Sequence, residues 1–546
     1  MTDDGRSQDM ILVSKSRIAT FSASGAWGRV TLDGLLRKNA KSRPDALALA
    51  DAPDREEWTG GAPRQLTFAE LDAEIDAVAG LFGALGVDVG TVTGLQAPNT
   101  TDTLITFFAA LRAGLIVTPL PLTWRETDLI AGLDILGAKA VIGADRLESQ
   151  RLAEYCRNAA TKLFGMRYVL GLSGDLPDGI VSLAGLRAET GDLPPPEAAV
   201  TADYVATVTW ATPLGGDPVP LPRSHNQWIA AGLMHMLEAR FEPGMPILNP
   251  YAPTGLVGLG AAIAPWLLSG AEMHLHHFRG LDAMAEHAAS AGIRHIIAPA
   301  SLVDPLATRL DSRDGDAVRM TAVWSNGHPK NNGPLVAKRG DLDLSNIGDY
   351  AYVVAPRAEA TPSALPLGML STPSAGKAAP VLVESRIVDG HFALAGPMVP
   401  DVSWPGNRVS PIPLTDDAYV LTGVPAEEYD EGANLAHPRA YSGSRFFAGG
   451  ATIVPHALDL VYSECPEVDE GAAFFIDDPV LGARIGAALA AAEGETPTAE
   501  ALRIFLEEMR VAIDKHPAKV ILVDQVPREV DGTVDREELA ELAKGF

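Results

Sequence analysis

Residues Thr207–Asn226 read TVTWATPLGGDPVPLPRSHN, and how this stretch is read decides the fold. It opens on β-branched and aromatic residues, the composition of a strand. It then passes through a loop with Gly215 and Gly216 at its centre and reaches SHNQW, which has the form of a helix start. Strand, glycine loop and helix in that order make a cradle for phosphate, because backbone N–H groups and a helix N-terminus both favour an anion. Yet the loop has no lysine and carries Pro213, Pro218, Pro220 and Pro222. Proline offers no N–H. The layout is that of a nucleotide loop without its donors.

Outward from this stretch the chain alternates helix and strand signals. In RQLTFAELDAEIDAVAGLFGALGV, Thr67 and Glu70 have the spacing of a capping box. Leu71, Ile75, Val78, Phe82 and Leu85 follow on one helical face. TVTGLQAPN reads as a buried strand, TTDTLITFFAALRAGL as the next helix and IVTPLPL as the next strand. This β–α–β order predicts an α/β fold with a largely parallel sheet covered by helices. The pattern returns after Tyr204 through PILNPYAP, a helix near Leu256 to Leu268, AEMHLHHF and IRHIIAPASL. Between about 360 and 445, short alternating runs such as ESRIVDGHFALAG predict β structure and turns. A compact α+β unit follows. The expected division is a large N-terminal domain over 1–442, of layered mixed and parallel sheets with helices, and a small C-terminal α+β domain over 443–546.

Composition narrows the function. With 546 residues, 47% hydrophobic and 21% charged, the chain is a globular protein of two or more domains. A net charge of −27 argues against nucleic acid or an anionic membrane surface as the main partner. Cys156 and Cys465 are the only cysteines, which excludes a disulfide scaffold and suits a reducing cytoplasm. The first residues lack the order of a signal peptide. The apolar run between Met245 and Ala271 is broken by prolines and too short at its core to span a bilayer. A cytoplasmic protein without a membrane span is expected.

By order and spacing, LLRKNAKSRPDALAL, LTFAELDAEIDAVAGLFGALGV, GLQAPNTTDTLITFFAALRAG, GLVGLGAAIAPWLLSGAEMHL, GGATIVPHALD and KVILVDQVPREVDGTVDREEL together resemble the adenylate-forming superfamily of acyl-CoA synthetases, luciferases and nonribosomal adenylation domains. The resemblance runs from Thr31 to Leu542. It implies joining a carboxylate to ATP and passing the acyl group to a thiol, with four charged groups in fixed motifs. The phosphate-loop lysine falls on Val219, counting back from Ser224-His225. In NIGDYAYVV, Gly348 matches the glycine of the magnesium motif, Tyr350 its threonine and Ala351 its glutamate. In VLTGVPAEEY, Thr422 and Gly423 are kept and Val424 takes the place of the ribose-binding aspartate. Thr533 stands where the C-terminal lysine would be. Alanine cannot ligate a hard cation, and valine donates nothing to phosphate.

The neighbours of each site are kept while its charged group is gone, so the expectation is a degenerate cleft lined by Gly215, Gly216, Gly348, Tyr350, Thr422 and Gly423. ATP and magnesium are not expected to bind, no metal site is assigned, and CoA or an acyl-CoA is compatible with the cleft. Two functions stay open. One is a non-adenylating protein that binds an acyl or acyl-thioester ligand, or a carrier or partner protein; a homodimer is compatible with the resemblance. The other is an acyl-activating or acyl-transferring enzyme working through relocated residues. His225, Arg223, Lys330 and His328 are the candidate substitutes, with Lys377 and Lys515 as further basic residues. The bland reading of each basic residue is a solvated surface charge, and that of His225 is a helix start.

Overall fold

The computed structural model describes residues 10–211, 218–311, 318–324, 339–357, 365–371, 379–406, 409–430, 434–438, 446–448, 451–478, 482–530 and 532–545. Thr67 caps the helix Phe68–Ala84 through the expected box: its hydroxyl accepts the N–H of Glu70, and the Glu70 carboxylate accepts the N–H of Thr67 at 2.8 Å. Leu71, Ile75 and Phe82 are buried on the predicted face, with Val78 and Leu85 packed against the same core. Gly80 is required on the opposite side, since a Cβ there would lie 2.2 Å from the carbonyl oxygen of Leu193.

The α/β architecture is as expected, a large N-terminal domain of mixed sheets and helices with a smaller C-terminal domain. One seven-stranded sheet runs Val181–Ser182, Tyr168–Gly171, Ala140–Gly143, Val92–Gln96, Ile116–Pro119, Val205–Ala211 and Val219–Ser224. All neighbours are parallel except the last pair. An eight-stranded sheet has Pro246–Asn249, His295–Pro299 and Arg319–Trp324 near its middle and the antiparallel pair Leu342–Ile347 and Ala351–Pro356 at one edge. Residues from Leu365 to Pro438 supply a six-stranded antiparallel sheet, the β-rich region expected from its alternating runs. The main core joins these three sheets. Two separate apolar clusters draw only on residues from Ile453 onward, around the three-stranded sheet of Val468–Asp478, Gly482–Ala491 and Lys519–Val523. The boundary expected at 442/443 lies outside the described residues.

The opening stretch differs from its sequence reading in one respect. Val219–Ser224, read as the end of a loop, is a strand at the sheet's edge, antiparallel to Val205–Ala211, with Pro220 opposite Trp210 and Pro222 opposite Val208. An edge strand has one side that needs no ladder N–H, which is where two prolines two residues apart can be accommodated.

Candidate functional site

Ser224 ends this edge strand and caps the helix His225–Ala239, its hydroxyl accepting from Gln227 N–H while the Gln227 side chain accepts the Ser224 N–H at 2.8 Å. His225, the first helical residue, accepts the N–H of Leu32 on Nδ1 at 3.2 Å, and burial pulls its pKa down to about 3. It is a neutral anchor at the helix start, not an acid–base group in solvent. Arg223 is wholly buried. Its Nη1 donates to Thr209 Oγ1 at 2.7 Å, its Nη2 to the carbonyls of Asp349 and Tyr350, and its guanidinium stacks 4.9 Å from the Trp228 ring. The surface-charge reading of Arg223 is therefore corrected. It ties the edge of one sheet to the edge hairpin of the other.

That hairpin is built on a two-residue turn. Gly348 and Asp349 both have φ of 62°, and Tyr350 N–H donates to the Ile347 carbonyl at 3.1 Å. Paired positive φ values suit the twist of the flanking strands. Asn346 clips the turn, its Nδ2 donating to Asp349 Oδ1 at 2.9 Å and its Oδ1 accepting the Asp349 N–H at 3.1 Å. Burial raises the Asp349 carboxyl, with Asn346 and Arg223 opposing. Burial also pushes the Tyr350 phenol up to about 12, and its hydroxyl has no partner among the described residues. Thr422 donates its hydroxyl to the Phe392 carbonyl at 2.8 Å and accepts the N–H of Val424 at 3.1 Å, around Gly423 at φ 72°. A Cβ on Gly348 would meet the Thr422 carbonyl oxygen and Val424 Cγ2, each at 3.4 Å.

The structure thus joins Arg223, the Gly348–Ala351 turn and Thr422–Val424 at one junction between sheets. Val219, Ala351 and Val424 are 3%, 0% and 0% exposed. Thr533 is not buried with them. It is exposed beside Gly532 on a hairpin of the C-terminal domain, its carbonyl accepting the Glu529 N–H at 2.8 Å. Gly215, Gly216, His328, Lys330 and Lys377 lie outside the described residues. Lys515 is not a bare surface charge either, since its Nζ lies 3.1 Å from Asp128 Oδ1.

Replacing Val219 by lysine should lower stability by roughly 2 kcal/mol or more relative to a Val219→Met control of similar length, because an ammonium would enter the apolar core in which Val219 is buried. Urea unfolding of the two variants checks this.

Sequence reasoning missed a buried polar array behind the junction. His235 donates from Nδ1 to the Ala261 carbonyl at 2.6 Å, which leaves Nε2 to accept the Thr321 hydroxyl at 2.9 Å; His295 Nε2 then donates to the same oxygen at 2.8 Å. Ala261 lies in a π-helical turn, Val257–Ile263, and the neighbouring Gly260 carbonyl accepts from the Tyr352 hydroxyl at 2.8 Å. A π-turn displaces carbonyls from their α-helical partners, and these side chains take them up. In HLHHF, His274 and His276 both pack against His287, whose Nδ1 is 3.2 Å from that of His276. Among the described residues no group of three or more His, Cys, Asp or Glu is placed to hold a metal ion.

Two layered sheets meeting at the edge strand Val219–Ser224, followed by a small α+β domain, have the architecture of the adenylate-forming superfamily. The chain belongs to the AMP-binding enzyme family, whose sequence model matches residues 36–391. It is 25% identical to a salicyl-AMP ligase / salicyl-S-ArCP synthetase of Mycobacterium tuberculosis, over 98% of this chain and 94% of that one. It is 21% identical to a medium-chain fatty-acid–CoA ligase of Escherichia coli, over 96% and 92%. Among solved structures, the amide bond synthetase McbA of Marinactinospora thermotolerans superposes with a TM-score of 0.72 at 18% identity, over 94% of this chain and 99% of that one. Among the described residues no helix is long and apolar enough to cross a membrane.

Proposed function

We propose that this chain keeps the fold of an acyl-activating ligase but does not form adenylates, and that it binds an acyl or acyl-thioester ligand or a carrier or partner protein. The observation that carries this reading is the chemistry of the junction. The three positions aligned with the phosphate lysine, the magnesium glutamate and the ribose aspartate hold buried Val219, Ala351 and Val424. Magnesium requires oxygen ligands, and a nucleotide's charge requires donors that valine and alanine lack. Nor is Arg223 a ready substitute, since both its terminal nitrogens already serve Thr209 and the 349–350 carbonyls. The relatives named above act on salicyl and medium-chain fatty-acid groups, which supports the acyl half of the reading.

A second reading, acyl activation through relocated residues, is favoured by near full-length similarity to proteins named as ligases. Thermal-shift titration separates the two. A ligand bound only by the folded state raises the melting temperature, by about 2.7 kcal/mol of stabilisation at a hundredfold excess over Kd. CoA or an acyl-CoA should shift the transition while Mg-ATP and AMP should not. A shift with Mg-ATP would favour the ligase reading.

A further inference from the structure

The C-terminal domain has its own apolar clusters, and its described contact with the first sheet is polar. Arg510 Nη1 lies 2.9 Å from Glu126 Oε1, and Lys515 Nζ lies 3.1 Å from Asp128 Oδ1. Two cations among residues 510–515 therefore face two carboxylates among residues 126–128.

Both faces are held in shape by their own domains. Arg125 Nη1 donates to the carbonyls of Leu122, Thr123 and Trp124 at 3.0–3.1 Å, and its guanidinium sits 5.0 Å from the Tyr155 ring. Asp128 uses its second oxygen to accept the Arg125 N–H at 3.1 Å, which fixes the carboxylate that Lys515 meets. Opposite, the Tyr462 hydroxyl donates to the Lys515 carbonyl at 2.8 Å and so anchors the short helical turn Ile513–Lys515. Groups already ordered lose little freedom when they pair.

We propose that Arg510–Glu126 and Lys515–Asp128 form an electrostatic clasp that seats the C-terminal domain against the first sheet and releases it as ionic strength rises. The exposures of these side chains, 44% and 20% for the first pair and 39% and 22% for the second, place the clasp within reach of salt. The screening length falls from about 8 Å at physiological salt to about 3 Å at 1 M. A polar seam between separately cored domains is the arrangement in which relative motion is expected. In this arrangement Val530 and Thr533 are exposed to solvent, while Val219, Ala351 and Val424 are buried. The clasp stands on these contacts alone and holds whether or not the chain forms adenylates.

Full-length protein labelled at Phe164→Cys and Val530→Cys tests it by single-molecule energy transfer. Both positions are fully exposed, whereas Cys156 and Cys465 are buried. Raising salt from 20 mM to 1 M should depopulate the transfer state that dominates at 20 mM, the clasped one. Arg510→Glu should lower the ratio of clasped to unclasped molecules about tenfold at low salt, since it turns an attraction into a repulsion. The swap Glu126→Arg with Arg510→Glu should restore that ratio; this pair is used because Asp128 also caps a helix. Lys515→Glu should act in the same direction as Arg510→Glu. A transfer distribution unchanged by salt and by both single reversals, in variants whose melting temperatures match the parent, would overturn the clasp. So would a swap that fails to restore the ratio.

Discussion

Lowering the pH from 7 to 4 should unfold the large domain steeply. His225, His235, His276, His287 and His295 are all buried, and desolvation is the largest cause depressing each. His225 and His287 fall to about 3, His235 and His276 to about 4, and His295 well below its ordinary value. A histidine held neutral in the folded state contributes stability that is fully present above its unfolded pKa of about 6.5. That contribution is lost as pH falls towards the folded value, because the unfolded chain then binds the extra proton. Each such group gives a slope of about 1.4 kcal/mol per pH unit in this window. Five together reach an upper bound of roughly 7 kcal/mol per unit, against a total stability of about 5–15 kcal/mol. Urea unfolding followed by tryptophan fluorescence at pH 7, 6 and 5 reads the slope. His287→Asn should reduce it by about one proton, and a stability flat to pH 4 would contradict the assignment.

Arg112→Met should be the most damaging single change among the ion pairs of the first layer of helices. From the end of helix Thr101–Arg112, the guanidinium reaches Asp33 at 2.7 Å, Asp72 at 2.6 Å and Asp76 at 2.8 Å, on the helices Leu32–Ser42 and Phe68–Ala84. It also donates to the Asp72 carbonyl at 3.0 Å. Its side chain is 1% exposed. Methionine preserves much of the volume but leaves three carboxylates facing one another. Breaking a buried pair from one side costs about 3–5 kcal/mol, and the lower end applies here because the aspartates can partly rehydrate. Adding Asp33→Asn and Asp72→Asn should recover much of the loss. By contrast Arg37→Ala, at a half-exposed arginine on the same acidic cluster, should cost no more than about 1 kcal/mol. Thermal unfolding of these three variants and the parent supplies the comparison.

Local patterns carried most of the fold. The Thr67–Glu70 box, the Leu71-to-Leu85 face and the ESRIVDGHFALAG hairpin were legible because the groups that decide them lie within a few residues of one another. The edge strand Val219–Ser224 was not, because prolines argue against a strand unless its position at a sheet edge is known. Arg223 and Lys515 read as surface charges because the carbonyl and carboxylate that take them up, on Asp349 and Asp128, are 126 and 387 residues away. His287 carried no signal beside HLHHF, since only the packing of its helix brings it to His276. The candidate positions were legible from the motif residues beside them, and their burial only through tertiary structure.

The proposed loss of nucleotide chemistry from the cleft has a direct enzymatic readout. Exchange of pyrophosphate into ATP that depends on added acid is the direct assay, run with the full chain, magnesium, and salicylate or a medium-chain fatty acid as the carboxylate to be adenylated, the acyl groups named in the two relatives above. No exchange above the enzyme-free background is expected with either acid. Exchange that depends on both the acid and the protein would contradict it, and would establish that relocated residues carry out adenylation in this fold.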